Sequence, residues 1–165
     1  IEKGEAPVDY VSRMARAKAE LGWLQLIQRG LPLRPLLAAA TVIVYMGKVI
    51  GKPSDLAHGR KMLSTLSGKT HKVYSAVAIV AKNQIEECLS TTTIKFRDIS
   101  QSEITSYLDG NKWNDRAGSY ELQGKAQVFI MKMSGSYSGA LGLPIFETGQ
   151  LLEKFDIRIF NDLKK

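Results

Sequence analysis

The chain has 165 residues, a net charge of +7 and a hydrophobic fraction of 44%, as expected for one globular domain with a sizeable core. Its single cysteine, Cys88, excludes a disulfide framework and a cysteine-rich zinc site and is typical of a protein of the reducing cytoplasm. The longest apolar run is well short of the roughly 20 residues that a membrane-spanning helix needs. The positive charge indicates an anionic partner, and the scattered Lys and Arg residues fit small phosphorylated ligands as well as a nucleic acid.

The first predicted element is a helix over residues 7–21 with one apolar face. Lys18 falls within that face, because it follows Val11 by seven residues and Met14 by four. An unpaired ammonium group is costly to bury, so the Lys18 side chain either extends to solvent or meets an anion. Both interpretations remain open from the sequence.

A hairpin is predicted next. The apolar, β-branched run over residues 36–45 indicates a strand buried on both faces, and residues 49–50 form its short partner after a glycine-containing turn. The hairpin ends at Lys52, which Pro53 biases toward an extended backbone. This geometry presents a cation stiffly at the mouth of the strand pair; the alternative is an ordinary surface lysine.

The rest of the chain alternates helices with strands, and the second of two long strands has the polar and apolar alternation of a half-exposed sheet. The predicted elements are a helix capped by Ser54 and ended by Gly68, strands over 70–82 and 85–97, a helix opened by a capping box at Ser100, a strand over 126–133, and a last helix over 145–155.

A long polar segment over residues 111–125 connects the capping-box helix to the next strand. Connections of this length within a compact domain are usually functional, although a flexible connector is the alternative. The segment carries Arg116, Gln123 and Lys125. Arg116 and Lys125 are therefore candidate substrate-binding residues.

Together, Lys18, Lys52, Arg116 and Lys125 offer several cations, and Gln123 offers an amide. A phosphate chain needs cations that are held rigidly, and a nucleobase edge needs amide-type hydrogen-bonding groups. The common phosphate cradles, the P-loop and the glycine fingerprint of dinucleotide-binding folds, are absent from the sequence.

Six stretches then fall in a recognisable order: ARAKAE at 15–20, AxTVIV…GKVIGKP at 39–53, LSGKTHKVYSAVAI at 66–79, FRDISQSEITSYL at 96–108, RAGSYELQGKA at 116–126 and GLPIFET at 142–148. Each alone is weak, but all six in this order resemble the Maf family of nucleoside triphosphate pyrophosphatases. The resemblance covers nearly the whole chain.

The resemblance implies an α/β fold like that of inosine triphosphate pyrophosphatases, with a mixed, twisted sheet, flanking helices and a cleft between two lobes. Residues 1–165 would form a single such domain. It further implies hydrolysis of dTTP and UTP to the monophosphate and diphosphate with Mg²⁺ or Mn²⁺. A cytoplasmic homodimer linked to septum formation is expected, with neither a membrane nor a nucleic acid as partner.

The resemblance also assigns residues. Lys18 and Lys52 match family lysines that contact the phosphates. Thr41 and Gln123 match the positions that distinguish the branch cleaving dTTP and UTP from the branch acting on 7-methyl-GTP. No metal ligand is identified.

Two departures from the family pattern bear on activity. Ala40 occupies the position of the family's aspartate proton acceptor, and a methyl group cannot accept a proton. The family's N-terminal strand, with its Ser-x-Ser-Pro-Arg-Arg motif and the acidic residue after it, is not found in this sequence. Since losing a general base typically costs a factor of roughly 10² to 10⁴ in rate, impaired hydrolysis is the resulting hypothesis.

Two other interpretations stay open. One is a non-catalytic, nucleotide-binding regulatory protein linked to cell division, for which Ala40 is the main support. The other is a basic nucleic-acid-binding domain, which only the net charge favours.

Overall fold

The computed structural model describes residues 1–82, 84–110 and 113–160. The elements in chain order are α1 (Pro7–Gln28), β1 (Leu36–Tyr45), β2 (Lys48–Ile50), α2 (Leu56–Leu66), β3 (Thr70–Ala81), β4 (Gln84–Phe96), α3 (Gln101–Leu108), two 3-10 helices (Ala117–Ser119 and Lys125–Phe129), β5 (Ile130–Ser134), α4 (Tyr137–Leu141) and α5 (Ile145–Glu153). No helix in these ranges has both the length and the apolar character to cross a bilayer.

The five strands form one sheet in the order β2-β1-β3-β4-β5. The predicted α/β fold with flanking helices is confirmed. The sheet itself differs from the mixed sheet that was expected, because all four described pairings are antiparallel. Short connections join β1 to β2 and β3 to β4, and a strand that turns back through a hairpin pairs antiparallel with its predecessor.

Helix α1 covers one face of the sheet. Its residues Val11, Ala15 and Ala19 have no exposed surface and pack in one cluster with Ala40 and Val42 of β1. Alanine side chains let the helix backbone approach the strands closely, so this helix fixes one side of β1. The predicted helix is confirmed and continues past residue 21 to Gln28.

The opposite face carries a second core that includes residues of α2, α3 and the segment before β5. Phe96 of β4 has no exposed surface, and its ring lies edge-on to those of His71 and Tyr120, with centroids 4.9 Å away in each case. This aromatic group connects the sheet to the polar segment that carries Arg116 and Gln123.

Several predicted boundaries need correction. Asp55, and not Ser54, caps α2, because its Oδ1 accepts a hydrogen bond of 2.7 Å from the His58 amide. The strand predicted from residue 126 begins only at Ile130, since the chain first forms a 3-10 helix. The short helix α4 was not predicted. The capping box at Ser100 is confirmed.

Histidine 71 is buried in this core with 2% of its surface exposed. Its Nε2 lies 2.8 Å from the Tyr120 hydroxyl, and its buried Nδ1 has no hydrogen-bond partner in the described part of the chain. Burial lowers the pKa of His71 from 6.5 to about 4. The folded protein therefore holds this imidazole neutral.

This burial predicts a loss of stability in mild acid. Between pH 6.5 and pH 4 the unfolded chain binds a proton at His71 that the folded chain does not, so stability is full above this window and falls as the pH drops through it. We expect the free energy of unfolding in urea to fall by about 2 kcal/mol from pH 7 to pH 5. His71→Gln should remove most of this dependence, and His58→Gln, at an exposed histidine, should leave it intact. An equal dependence in the His71 variant would contradict this assignment.

Candidate functional site

A cleft of about 270 Å³ lies on the face of the sheet opposite α1. Its lining combines parts of β1 and β3, the end of the β1–β2 hairpin, residues 115–123 and the C-terminal end of α4. Four residues predicted from the sequence share this lining: Thr41, Lys52, Arg116 and Gln123. The volume lies just below the range of about 300 to 1,000 Å³ that is typical of small-molecule sites.

A backbone hydrogen bond joins the segment 113–123 to the end of the β1–β2 hairpin. The Gly118 amide donates a hydrogen bond of 3.0 Å to the Gly51 carbonyl. Gly118 has a φ of +68°, and a Cβ at this position would lie 2.8 Å from the Cδ1 atom of Ile43. The backbone conformation therefore favours glycine, and any larger residue would also displace the Ile43 side chain. Residues 111 and 112 of the predicted polar segment lie outside the described residues.

Each predicted cation of the cleft is paired with a carboxylate of this segment. Lys52 Nζ lies 2.5 Å from Asp115 Oδ1, and Arg116 donates a hydrogen bond of 3.0 Å to Glu121 Oε1. Lys52 holds the pKa of the Asp115 carboxyl below its usual value by donating to the charged form. More than half of the side-chain surface of Lys52, Asp115 and Arg116 is exposed, so these ion pairs contribute little to stability and can exchange partners.

The two predicted specificity residues both line the cleft. Thr41 Oγ1 lies 2.7 Å from Ser75 Oγ, and Ser75 in turn donates a hydrogen bond of 2.6 Å to the Gly139 carbonyl. Gln123 lines the cleft with an exposed side chain. The cleft thus offers a hydroxyl and an amide beside two cations.

Lys18 and Ala40 lie elsewhere. Ala40 is 7% exposed and packs on the α1 side of β1, because successive residues of a strand point to opposite faces. Lys18 is exposed, and its Nζ donates a hydrogen bond of 3.2 Å to the Ala39 carbonyl. The side chain thus extends out of the apolar face of α1, and its contact with an anion stays a prediction. Ala40 therefore faces away from the cleft, and Lys18 of α1 contacts the backbone of the residue before it.

Lys125 does not line the cleft either. It lines two depressions on the α3 side, both of which include Tyr107. Sequence reasoning missed Asp115, Glu121 and Ser75. The two acids could have been noticed as neighbours of the predicted cations, whereas Ser75 becomes visible only once the register places it opposite Thr41.

Comparison with known proteins identifies the family of this chain. The family described as Maf-like protein matches residues 1–155. A dTTP/UTP pyrophosphatase of Nitrosomonas europaea is 52% identical over 156 residues, which are 94% of this chain and 75% of the relative. A protein of the same name from Nitrosospira multiformis is 47% identical with the same coverage, and one from Chromobacterium violaceum is 40% identical over 96% of this chain and 80% of its own length. The chain therefore belongs to the Maf-like protein family.

Proposed function

We propose that this chain is a nucleoside triphosphate pyrophosphatase that hydrolyses dTTP and UTP to the monophosphate and diphosphate. Membership of the Maf-like family and relatives named dTTP/UTP pyrophosphatase support this activity. The observation that carries it is the joint lining of one cleft by Lys52, Arg116, Thr41 and Gln123. The cations suit a phosphate chain, while the hydroxyl and the amide suit the edge of a pyrimidine base.

Binding would begin with an exchange of ion-pair partners. A triphosphate carries several negative charges and competes with Asp115 for Lys52 and with Glu121 for Arg116. Charge-assisted hydrogen bonds to phosphate are strong, whereas exposed lysine–carboxylate pairs contribute only about 0 to 1 kcal/mol. The exchange therefore favours the nucleotide and releases two carboxylates on the cleft wall.

Mg²⁺ or Mn²⁺ is part of this proposal. Among the described residues no group of three or more His, Cys, Asp or Glu side chains converges on one point. A metal that bridges phosphates needs only one or two protein carboxylates, however, and completes its shell with phosphate oxygens and water. Asp115 and Glu121 have the hard oxygen ligands for this task and line the cleft. When bound, the metal would neutralise charge on the phosphates.

Ala40 is the reason to expect slow turnover. Its methyl group cannot activate water, and the described residues that pack with it in one cluster are apolar. An aspartate here would lie on the α1 side of β1, close to the Ala39 carbonyl that Lys18 contacts. It would act on a phosphate in the cleft around the edge of β1, which has no described partner on the β2 side at this position. The Lys18 ammonium would favour the ionised carboxylate, which is the form a general base needs.

A nucleotide-binding regulatory protein is the second candidate function, and Ala40 is the observation that favours it. In that case dTTP and UTP bind to the same cleft without turnover, and the binding itself is the signal, with a link to cell division.

We also propose a homodimer in the cytoplasm, as the family resemblance implies. Sedimentation of the purified chain tests the dimer.

Restoring the carboxylate should restore catalysis. We expect Ala40→Asp to raise diphosphate release from dTTP and UTP by a factor of roughly 10² to 10⁴ in the presence of Mg²⁺ or Mn²⁺. Ala38→Asp is the matched control, because it adds the same group two residues away on the same face of β1. Fast turnover by the unaltered chain, with no gain in Ala40→Asp, would refute the role given to this position.

Removing the cleft lysine should weaken nucleotide binding. We expect Lys52→Gln to raise the dissociation constant for UTP, measured by calorimetry, by about tenfold or more, as for the loss of a charge-assisted hydrogen bond. Lys125→Gln removes the same charge from an exposed lysine outside the cleft lining and should change the constant by less than about threefold, in line with the modest contribution of surface charges. An equal loss in both variants would extend the binding site to Lys125, and no loss in Lys52→Gln would contradict the proposed phosphate contact.

A further inference from the structure

A chain of hydroxyl groups leads from the cleft into the core. Thr41 and Ser75 are direct partners in the pairing of β1 with β3, so their side chains lie on the same face of the sheet. Ser75 has no exposed surface and donates its hydrogen bond to the Gly139 carbonyl of α4. Thr41, which lines the cleft, is the outer end of this chain.

The number of hydroxyl protons fixes the direction of these two hydrogen bonds. The Gly139 carbonyl can only accept, so the single hydroxyl proton of Ser75 lies in the 2.6 Å contact between them. The 2.7 Å contact between Ser75 Oγ and Thr41 Oγ1 also requires a proton, and only Thr41 still has one to give. A Gly142 carbonyl lies 3.5 Å from Thr41 Oγ1, too far to compete for that proton. Thr41 is thereby left with lone pairs alone for a ligand.

The accepting carbonyl at the inner end is held firmly. Ser136 caps α4, and its Oγ accepts a hydrogen bond of 2.9 Å from the Gly139 amide. A Cβ at Gly139 would lie 2.9 Å from Ser90 Oγ, so the helix packs against β4 at a point where only glycine fits. The Gly139 carbonyl therefore stays directed at Ser75.

We propose that Ser75 is a positioning residue that fixes Thr41 as a hydrogen-bond acceptor and so makes the cleft select uracil and thymine over cytosine. Uracil and thymine present an N3–H donor on their pairing edge, where cytosine presents a bare N3 acceptor. An acceptor in the protein matches the first and repels the second. The inference rests on the proposed function, because it assigns the base to the part of the cleft that Thr41 lines.

The test measures discrimination between bases rather than activity. Calorimetry gives dissociation constants for the α,β-methylene analogues of UTP and CTP, which cannot be cleaved at that bridge. For the unaltered chain we expect the UTP analogue to bind roughly tenfold or more tightly than the CTP analogue. The reason is that uracil N3–H can donate a hydrogen bond to Thr41, whereas cytosine N3 cannot. In Ser75→Ala and Ser75→Cys the Thr41 hydroxyl is free to rotate and donate, and the ratio should fall to within about threefold. Ser75→Thr keeps the hydroxyl and should restore the ratio.

A matched control separates this effect from a general loosening of α4. Thr92 is 1% exposed and donates a hydrogen bond of 2.7 Å to the Ser136 carbonyl, so it anchors the same helix from the neighbouring strand without lining the cleft. Thr92→Val should leave the ratio unchanged. A similar fall of the ratio in Thr92→Val and Ser75→Ala would overturn the proposal.

A second measurement needs no variant, should the Ser75 substitutions prevent folding. N3-methyl-UTP lacks the N3–H donor and should bind the unaltered chain at least about tenfold more weakly than UTP, while 5-methyl-UTP carries the same added methyl elsewhere and should bind like UTP. Equal binding of N3-methyl-UTP and UTP would overturn the assignment of Thr41 as acceptor. Nucleotide binding with an unaltered ratio in the Ser75 variants would overturn this inference alone, whereas no binding of any nucleotide would also overturn the proposed function.

Discussion

The hydrogen bond from the Gly118 amide to the Gly51 carbonyl joins the two parts of the chain that build the cleft. It draws the segment with Asp115, Arg116 and Gln123 against the end of the hairpin that presents Lys52. Gly118 supplies the positive φ that brings its amide into place. Without this contact the cations and the amide would have no fixed relation to Thr41 on the sheet.

Strand β1 divides the candidate site into two halves. Thr41 faces the cleft, while its neighbour Ala40 faces α1, where Lys18 reaches the backbone of Ala39. The alternation of a β-strand thus separates nucleotide recognition on one face from the position of the family's proton acceptor on the other. Beyond Ile43 toward its N-terminal end, β1 has no described partner on the side of β2. The proposed role of a carboxylate at position 40 therefore requires that it reach the nucleotide around this open edge.

The local features of the fold could be predicted from the sequence, because each depends on a few neighbouring residues. The run over β1, the capping box at Ser100 and the positive φ of Gly68 are each encoded in a few adjacent residues, and all three are present. The 3-10 helix before β5 and the short helix α4 were missed, because their conformations depend on packing against β4 and the cleft wall. The cations were found as residue types, but their pairing with Asp115 and Glu121 and the hydroxyl chain through Ser75 depend on contacts between residues far apart in sequence.

The central claim is that a pyrimidine nucleotide binds this cleft with its phosphates at Lys52 and Arg116 and its base at Thr41. The most direct measurement is a crystal structure of the chain with the α,β-methylene analogue of UTP and Mg²⁺. The account predicts that Lys52 leaves Asp115 for a phosphate oxygen and that the uracil N3–H donates to Thr41 Oγ1. A nucleotide bound only on the α1 side of the sheet, with the Lys52–Asp115 pair intact, would contradict it.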